Sequence, residues 1–236
     1  MQIFIDSANE KEILYLLRQG IVDGVTTNPT IMLKDGIYDI EGAAKRLCGL
    51  LGERPLSVEV TSNDHNQMLD QARTFASWGR NIVVKIPVVN EFGVSSLDVI
   101  NELTSEAIAV NATAILSFNQ AVLATKAGAT YVSIFSGRIA DEGNDPTVTI
   151  RNVRTWLSEW EYSAKIIVGS VRTAIDIQNA ALAGAHIITV PPPFFAKMID
   201  HKYTRDTVRQ FNRDAEKALE EIVTAQVASV PSGNGK

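Results

Sequence analysis

Eight short β-branched runs alternate with segments of helical spacing from one end of this chain to the other. The runs fall at residues 2–5, 24–27, 56–60, 82–86, 107–112, 130–135, 165–168 and 186–190. Between them, Met68, Leu69, Ala72, Phe75 and Ala76 recur on one helical face, and Ala174, Ile177, Ala181 and Leu182 do the same later. Several runs are apolar at consecutive positions, the pattern of parallel strands covered by helices. In a chain of 236 residues, this alternation predicts an α/β fold, a single (β/α)8 TIM barrel, with an open doubly wound sheet as the runner-up. No GxGxxG or phosphate-loop motif follows any strand. The barrel domain is expected to occupy 1–225, including a long amphipathic C-terminal helix near 205–227. Residues 226–236, closing on Pro231-Ser232-Gly233-Asn234-Gly235-Lys236, are expected to form a flexible tail. On the helix, Val208, Phe211, Ala215, Ala218 and Ile222 form a narrow seam, suited equally to its own barrel or to a neighbouring subunit.

Composition narrows the possible partners. With 22 Lys plus Arg against 27 Asp plus Glu, the formal charge is −5, which argues against nucleic acid. No run of about 18 apolar residues is present, so no membrane span is expected. The start, Met1-Gln2-Ile3-Phe4-Ile5-Asp6, lacks the basic stretch and apolar core of a signal peptide. The single cysteine, Cys48, excludes an intrachain disulfide and fits a cytoplasmic home. His65, His186 and His201 are scattered, so no metal site is expected.

In such a barrel, chemistry sits where the strands end. The first strand ends at Asp6, the second runs into Thr26-Thr27-Asn28-Pro29, and the third reaches Glu59. The fourth carries Lys85, the fifth ends in Asn111-Ala112-Thr113, and the sixth offers Ser133 and then Ser136-Gly137-Arg138. The seventh gives Ser170 and Arg172, while the eighth, before Pro191-Pro192-Pro193, offers no obvious reactive group. A lysine flanked by Val83, Val84, Ile86 and Pro87 is costly to bury while charged. Burial favours the neutral amine, which can attack a carbonyl to form a Schiff base; the ordinary case is a rim lysine reaching solvent. Glu59 and Asp6 are candidate acid–base groups, although Asp6 in Asp6-Ser7-Ala8-Asn9-Glu10 also reads as a helix cap. Asn28, Asn111 and Thr113 suit substrate hydroxyls or a water, or plain loop capping. Arg138 and Arg172, each in a Ser-X-Arg setting, suit an oxyanion in the quadrant where barrels often bind phosphate.

Together, Phe4-Ile5-Asp6, Gly24-Val25-Thr26-Thr27-Asn28-Pro29-Thr30, Val58-Glu59-Val60, Val84-Lys85-Ile86-Pro87, Asn111-Ala112-Thr113 and Gly137-Arg138-Ile139 resemble the small transaldolases and their fructose-6-phosphate aldolase relatives. The resemblance covers roughly residues 1 to 225. It implies a (β/α)8 barrel and a class I aldol mechanism with no metal and no cofactor. By that resemblance Lys85 is the Schiff-base lysine, Glu59 works through a water held by Thr113, and Asp6 takes the proton at carbon–carbon cleavage. Asn28, Asn111 and Ser133, with Thr27 and Phe135 beside them, would bind the dihydroxyacetone unit. Arg138, Ser170 and Arg172 would hold a distal phosphate, with Ser136 as an added donor. The resemblance also implies a homo-oligomer, rings of five that pair into ten, with the C-terminal helix reaching a neighbour.

Three positions bear on the reaction type. Glu59, Asn111 and Phe135 resemble the transaldolases, whereas the free aldolases carry Gln, an apolar residue and Tyr there. That points to transfer of dihydroxyacetone from a fructose 6-phosphate-like ketose to an aldehyde acceptor. Departures from the family pattern cluster at the anion end, in Ser133-Ile134-Phe135-Ser136-Gly137-Arg138 and Gly169-Ser170-Val171-Arg172. They keep open a sulfonate tail, as in a 6-deoxy-6-sulfofructose transaldolase. The same barrel would also accommodate a free aldolase releasing dihydroxyacetone, or a protein that binds a sugar phosphate without turnover.

Overall fold

The computed structural model describes residues 1–228, with side chains through 226; of the expected tail, 226–228 belong to the C-terminal helix and the rest lies outside the described residues. The chain divides into two units, Met1–Phe195 and the segment from Ala196 onward. In the first, eight strands form a closed barrel in sequence order: β1 (Gln2–Asp6), β2 (Gly24–Thr26), β3 (Leu56–Glu59), β4 (Ile82–Pro87), β5 (Val110–Ile115), β6 (Tyr131–Phe135), β7 (Lys165–Gly169) and β8 (Ile187–Val190). Every pairing is parallel, and β8 returns to β1 through Gln2↔Ile187 to Ile5↔Val190, which excludes the open sheet. Helices follow the strands on the outside, making this a (β/α)8 TIM barrel.

Side chains alternate along each strand, and the two parities are spent differently. Ile5, Val25, Val58, Val84, Val132, Ile134, Val168 and Ile188 belong to the large cluster shared with the helices. Met68, Leu69, Ala72 and Phe75 of the helix His65–Ser77 join them, as the spacing predicted. The other parity faces the barrel axis. Phe4, Ile167 and Ile187 pack together there with Tyr131, whose ring meets Phe4 edge-on at 6.4 Å. A Cβ on Gly24 would lie 2.7 Å from the Phe4 ring, so this glycine is what admits the phenylalanine. Two residues further along the strands the same parity turns polar, at Asp6, Thr26, Glu59, Lys85, Ser133 and Thr189. The barrel is thus plugged below by apolar rings and open above as a polar mouth.

Three expectations need correction. The fifth strand runs at Val110–Ile115 rather than 107–112, because Ala107 adopts a left-handed turn (φ 61°) that closes the helix Leu97–Ser105. On the helix Ala174–Leu182 the buried residues are Ile177 and Ala180, while Ala174, Ala181 and Leu182 are exposed. Its start is set by a capping box between Thr173 and Asp176, and the face turned to the barrel is one residue round from the expected one. The C-terminal helix runs Lys202–Ala228, longer than expected at both ends.

Candidate active site

The mouth encloses a cavity of about 480 Å³. Of the expected site residues, Asp6, Asn28, Glu59, Lys85, Ser133, Phe135, Arg138 and Ser170 line it. Their convergence follows from the register: Glu59 is the Cα partner of Lys85, Lys85 of Asn111, and Phe135 of Gly169.

Lys85 is 4% exposed, on a strand whose neighbouring residues are all buried. Its Nζ lies 2.9 Å from Glu59 Oε2 and donates to the Thr27 carbonyl at 3.0 Å. A buried ammonium needs such partners; Glu59 comes from the adjacent β3 and Thr27 from the end of β2, one strand further round. Thr27 thus meets Lys85 through its main chain; its hydroxyl is buried and donates to the Ser57 carbonyl.

Asp6 does not cap a helix. Asn9 does, accepting from the backbone N–H groups of Lys11 and Glu12. Asp6 is left facing the cavity, where its Oδ1 accepts from Thr26 Oγ1 at 2.6 Å. Burial pushes its carboxyl above the ordinary value, opposed by the Lys85 charge and the Thr26 hydrogen bond and reinforced by Glu59 and Asp35.

Asn111 is fully buried and spans the barrel wall, donating to Ser57 Oγ at 3.2 Å and accepting from Ser133 Oγ at 2.6 Å. It thus orients Ser133, which reaches the cavity. Asn28 caps a helix and also reaches the cavity. Its Oδ1 accepts from Ile31 N–H at 2.8 Å at the start of the helix Pro29–Lys34. Thr113 is fully buried, and its hydroxyl has no hydrogen-bond partner among the described residues. A buried polar atom without a partner is costly, and a bound water or ligand would satisfy it.

The anion end departs most from expectation. Arg138 and Ser170 line the cavity. Arg172 does not; its guanidinium is half-exposed and ion-pairs with Asp141 at 2.7 Å. Ser136 is buried and donates to the Gly169 carbonyl at 3.1 Å, so its hydroxyl proton is already committed. Ser170 sits in the left-handed region (φ 58°), and its carbonyl accepts from Gly137 N–H at 3.1 Å. A Cβ on Gly137 would stand 2.2 Å from that carbonyl oxygen, so glycine is required where the strand-six and strand-seven ends meet.

Sequence reading named Thr26 at the end of the second strand without giving it a role, and missed Thr30, Gly169 and Thr189 as cavity residues. Thr189 gives the mouth a hydroxyl from strand eight, where no obvious reactive group was expected. The signal was strand parity, since Thr189 lies two residues beyond the inward Ile187. Among the described residues, no helix is long and apolar enough to cross a membrane, and no cluster of three or more His, Cys, Asp or Glu side chains is placed to hold a metal.

Comparison with known proteins agrees with this fold. Among solved structures, the fold is similar to a thiamine phosphate pyrophosphorylase from Pyrococcus furiosus, with a TM-score of 0.56 at 13% identity over 80% of this chain and 85% of that one. It is also similar to a mandelate oxidase at TM-score 0.54 and 16% identity, over 81% of this chain but only 64% of the oxidase. In sequence, a protein named probable transaldolase from Streptococcus equi subsp. zooepidemicus (strain MGCS10565) is 41% identical over 214 residues, 91% of this chain and 97% of the relative. Another of that name from Streptococcus pyogenes serotype M5 (strain Manfredo) is 40% identical over the same length. The family model described as transaldolase/fructose-6-phosphate aldolase matches residues 3–230. With that match across nearly the whole barrel, the chain belongs to the transaldolase/fructose-6-phosphate aldolase family.

Proposed function

We propose that this protein is a transaldolase that moves a dihydroxyacetone unit from a ketose with an anionic tail to an aldehyde acceptor through a Schiff base on Lys85. The observation that carries this reading is the Lys85 amine, enclosed at the cavity wall, 2.9 Å from a carboxylate oxygen of Glu59. Attack needs the free amine, and Glu59 is placed to take its proton. Nζ bonds to the ketone carbon, the carbonyl oxygen becomes a hydroxyl, and that hydroxyl leaves as water once Glu59 returns a proton. The orphaned Thr113 hydroxyl suits the water on which Glu59 acts. The resulting iminium draws the electrons of the bond between its α and β carbons as Asp6 takes the proton of the β-hydroxyl, whose oxygen becomes the carbonyl of the departing aldehyde. An aldehyde leaves and an enamine stays on Lys85. An incoming aldehyde then bonds to the enamine carbon, its oxygen is reprotonated by Asp6, and water releases the product from the amine. Asn28 and Ser133 line the cavity where the hydroxyls of the dihydroxyacetone unit would sit, with Asn111 orienting Ser133. Arg138 and Ser170 lie where an anionic tail would extend.

Borohydride reduction in the presence of fructose 6-phosphate, followed by peptide mass spectrometry, should place a dihydroxyacetone adduct on Lys85. Modification elsewhere, or none, overturns the reading. Little free dihydroxyacetone should appear without an acceptor; copious release would favour the free aldolase, and tight ketose binding without turnover a non-catalytic barrel.

A second reading concerns the tail. Arg172 is held by Asp141, which leaves Arg138 as the arginine lining the cavity, a charge balance suited to a monoanionic sulfonate. A higher kcat/KM for 6-deoxy-6-sulfofructose than for fructose 6-phosphate would select it. We place the enzyme in the cytoplasm and in a homo-oligomer, by its likeness to the family.

A further inference from the structure

β1 lies between β2 and β8, and a hydroxyl from each flank meets in front of it. Thr26 is the Cα partner of Asp6 across one ladder, and Thr189 is the Cα partner of Phe4 across the other. Both threonines are buried and both line the cavity. Thr26 Oγ1 lies 2.6 Å from Asp6 Oδ1 and 2.5 Å from Thr189 Oγ1. A threonine hydroxyl carries one proton. Thr26 donates its proton to Asp6, so the second bond must run from Thr189 to Thr26.

We propose that Thr189 is a positioning residue for Asp6, acting through Thr26: the ordered chain Thr189 O–H to Thr26 O–H to Asp6 Oδ1 pins one carboxylate oxygen and leaves Oδ2 to exchange the proton with the ligand. Each donor in such a chain polarises the next, so Thr189 strengthens a hydrogen bond it does not itself make. The chain favours the ionised carboxylate, the form that can accept a proton. It works against burial, which favours the neutral form, and alongside the Lys85 charge on β4. Glu59 on β3 and Asp35, just past the helix Pro29–Lys34, press the other way. The chain also forbids rotation of the Asp6 carboxyl group, because Oδ1 and Oδ2 cease to be equivalent. A strand-eight threonine with a purely packing role would show none of this. Its methyl does pack, 3.5 Å from where a Cβ on Gly169 would stand, so the two roles must be separated by experiment.

The functional consequence rests on Asp6 acting as the proton-transfer group proposed above, whereas the hydrogen-bond chain does not. The first test therefore uses the full-length resting protein without substrate, labelled with 13C at the aspartate side-chain carboxyl, and follows the Asp6 signal against pH. Thr189→Val should move the Asp6 titration up by about 0.5–1 pH unit, the effect of weakening one hydrogen bond to a carboxylate. Thr26→Val, which removes that bond, should move it further, and Thr189→Ser should restore the wild-type curve. Thr189→Ala gives the same comparison if the valine methyl is not accommodated 2.5 Å from the Thr26 oxygen. An unmoved titration in the hydroxyl-free variants, or an equal displacement in Thr189→Ser, overturns the proposal, even if thermal stability falls. The acid limb of the transfer rate is then compared. A titration that moves while the limb stays fixed preserves the chain and refutes the assignment of Asp6 in the reaction.

Discussion

Replacing each member of the Lys85–Glu59 pair by methionine tests the electrostatics on which the site depends. The two residues differ in exposure: the Lys85 side chain is 5% exposed and that of Glu59 is 20%. Removing one partner of a fully buried pair costs about 3–5 kcal/mol, because the other is left as an uncompensated charge. In Glu59→Met the survivor is the enclosed Lys85 ammonium, with the Thr27 carbonyl still bonded and Asp6 nearby as a second carboxylate. That residual support trims the loss to about 2–3 kcal/mol. In Lys85→Met the survivor is Glu59, which reaches water in the cavity, and Asp6 can relieve its own burial by taking up a proton. The loss there should be about 1 kcal/mol, close to that for a solvated pair. The double variant removes both charges and should return to within about 1 kcal/mol of wild type. Urea denaturation of the four proteins measures the cycle. Equal costs for the two single variants, or a double variant as unstable as their sum, would falsify the claim that burial of the lysine sets the energetics. Both single variants should lose the Schiff-base adduct or its turnover.

Three further outcomes are expected. Thr113→Val removes a buried hydroxyl that has no partner, so the melting temperature should hold or rise while transfer falls about 10–100-fold; an unimpaired rate would remove Thr113 from water positioning. Gly137→Ala drives a Cβ into the Ser170 carbonyl oxygen and should cost about 1–3 kcal/mol, with a raised KM for anionic ketoses because Ser170 lines the cavity. His186, whose Nδ1 accepts from Ile166 N–H at 3.0 Å, is pushed down to about 4 by burial and by Arg154, Lys165 and the N-terminus. The neutral ring thus contributes stability that is complete above pH 6.5, the ordinary histidine value, and is lost as pH falls toward about 4. Allowing for solvent screening of a partly buried ring, the loss is about 1–2 kcal/mol. Melting temperatures of wild type and His186→Asn between pH 7 and about 4 should converge on acidification, and parallel curves would refute the assignment.

Strand parity explains why much of the mouth was legible in the chain and why some of it was not. The alternation of β-branched runs with helical segments identified the barrel because parallel strands buried on both faces leave a strong apolar signature. Lys85, Glu59 and Asp6 stood out as charged groups where that signature permits few. Thr26 and Thr189 did not, since a threonine in a strand is ordinary β-branched filling until its neighbours are known. Arg172 read as an anion ligand because its partner, Asp141, lies 31 positions away. The fifth strand was displaced by Ala107 and bent at Ala114, two alanines in left-handed conformations that carry no sequence mark. Yet one rule would have recovered Thr189. Inward positions occur in steps of two, from Phe4 to Asp6, Gly24 to Thr26, Tyr131 to Ser133 and Ile187 to Thr189, each pair rising from the plug into the mouth. Registering every strand against the apolar plug, rather than searching each strand end for a reactive group, brings Thr189 into the mouth that Asp6 faces. The polar layer then follows from the hydrophobic one beneath it, and the groups that tune the reacting carboxylate become as traceable as the carboxylate itself.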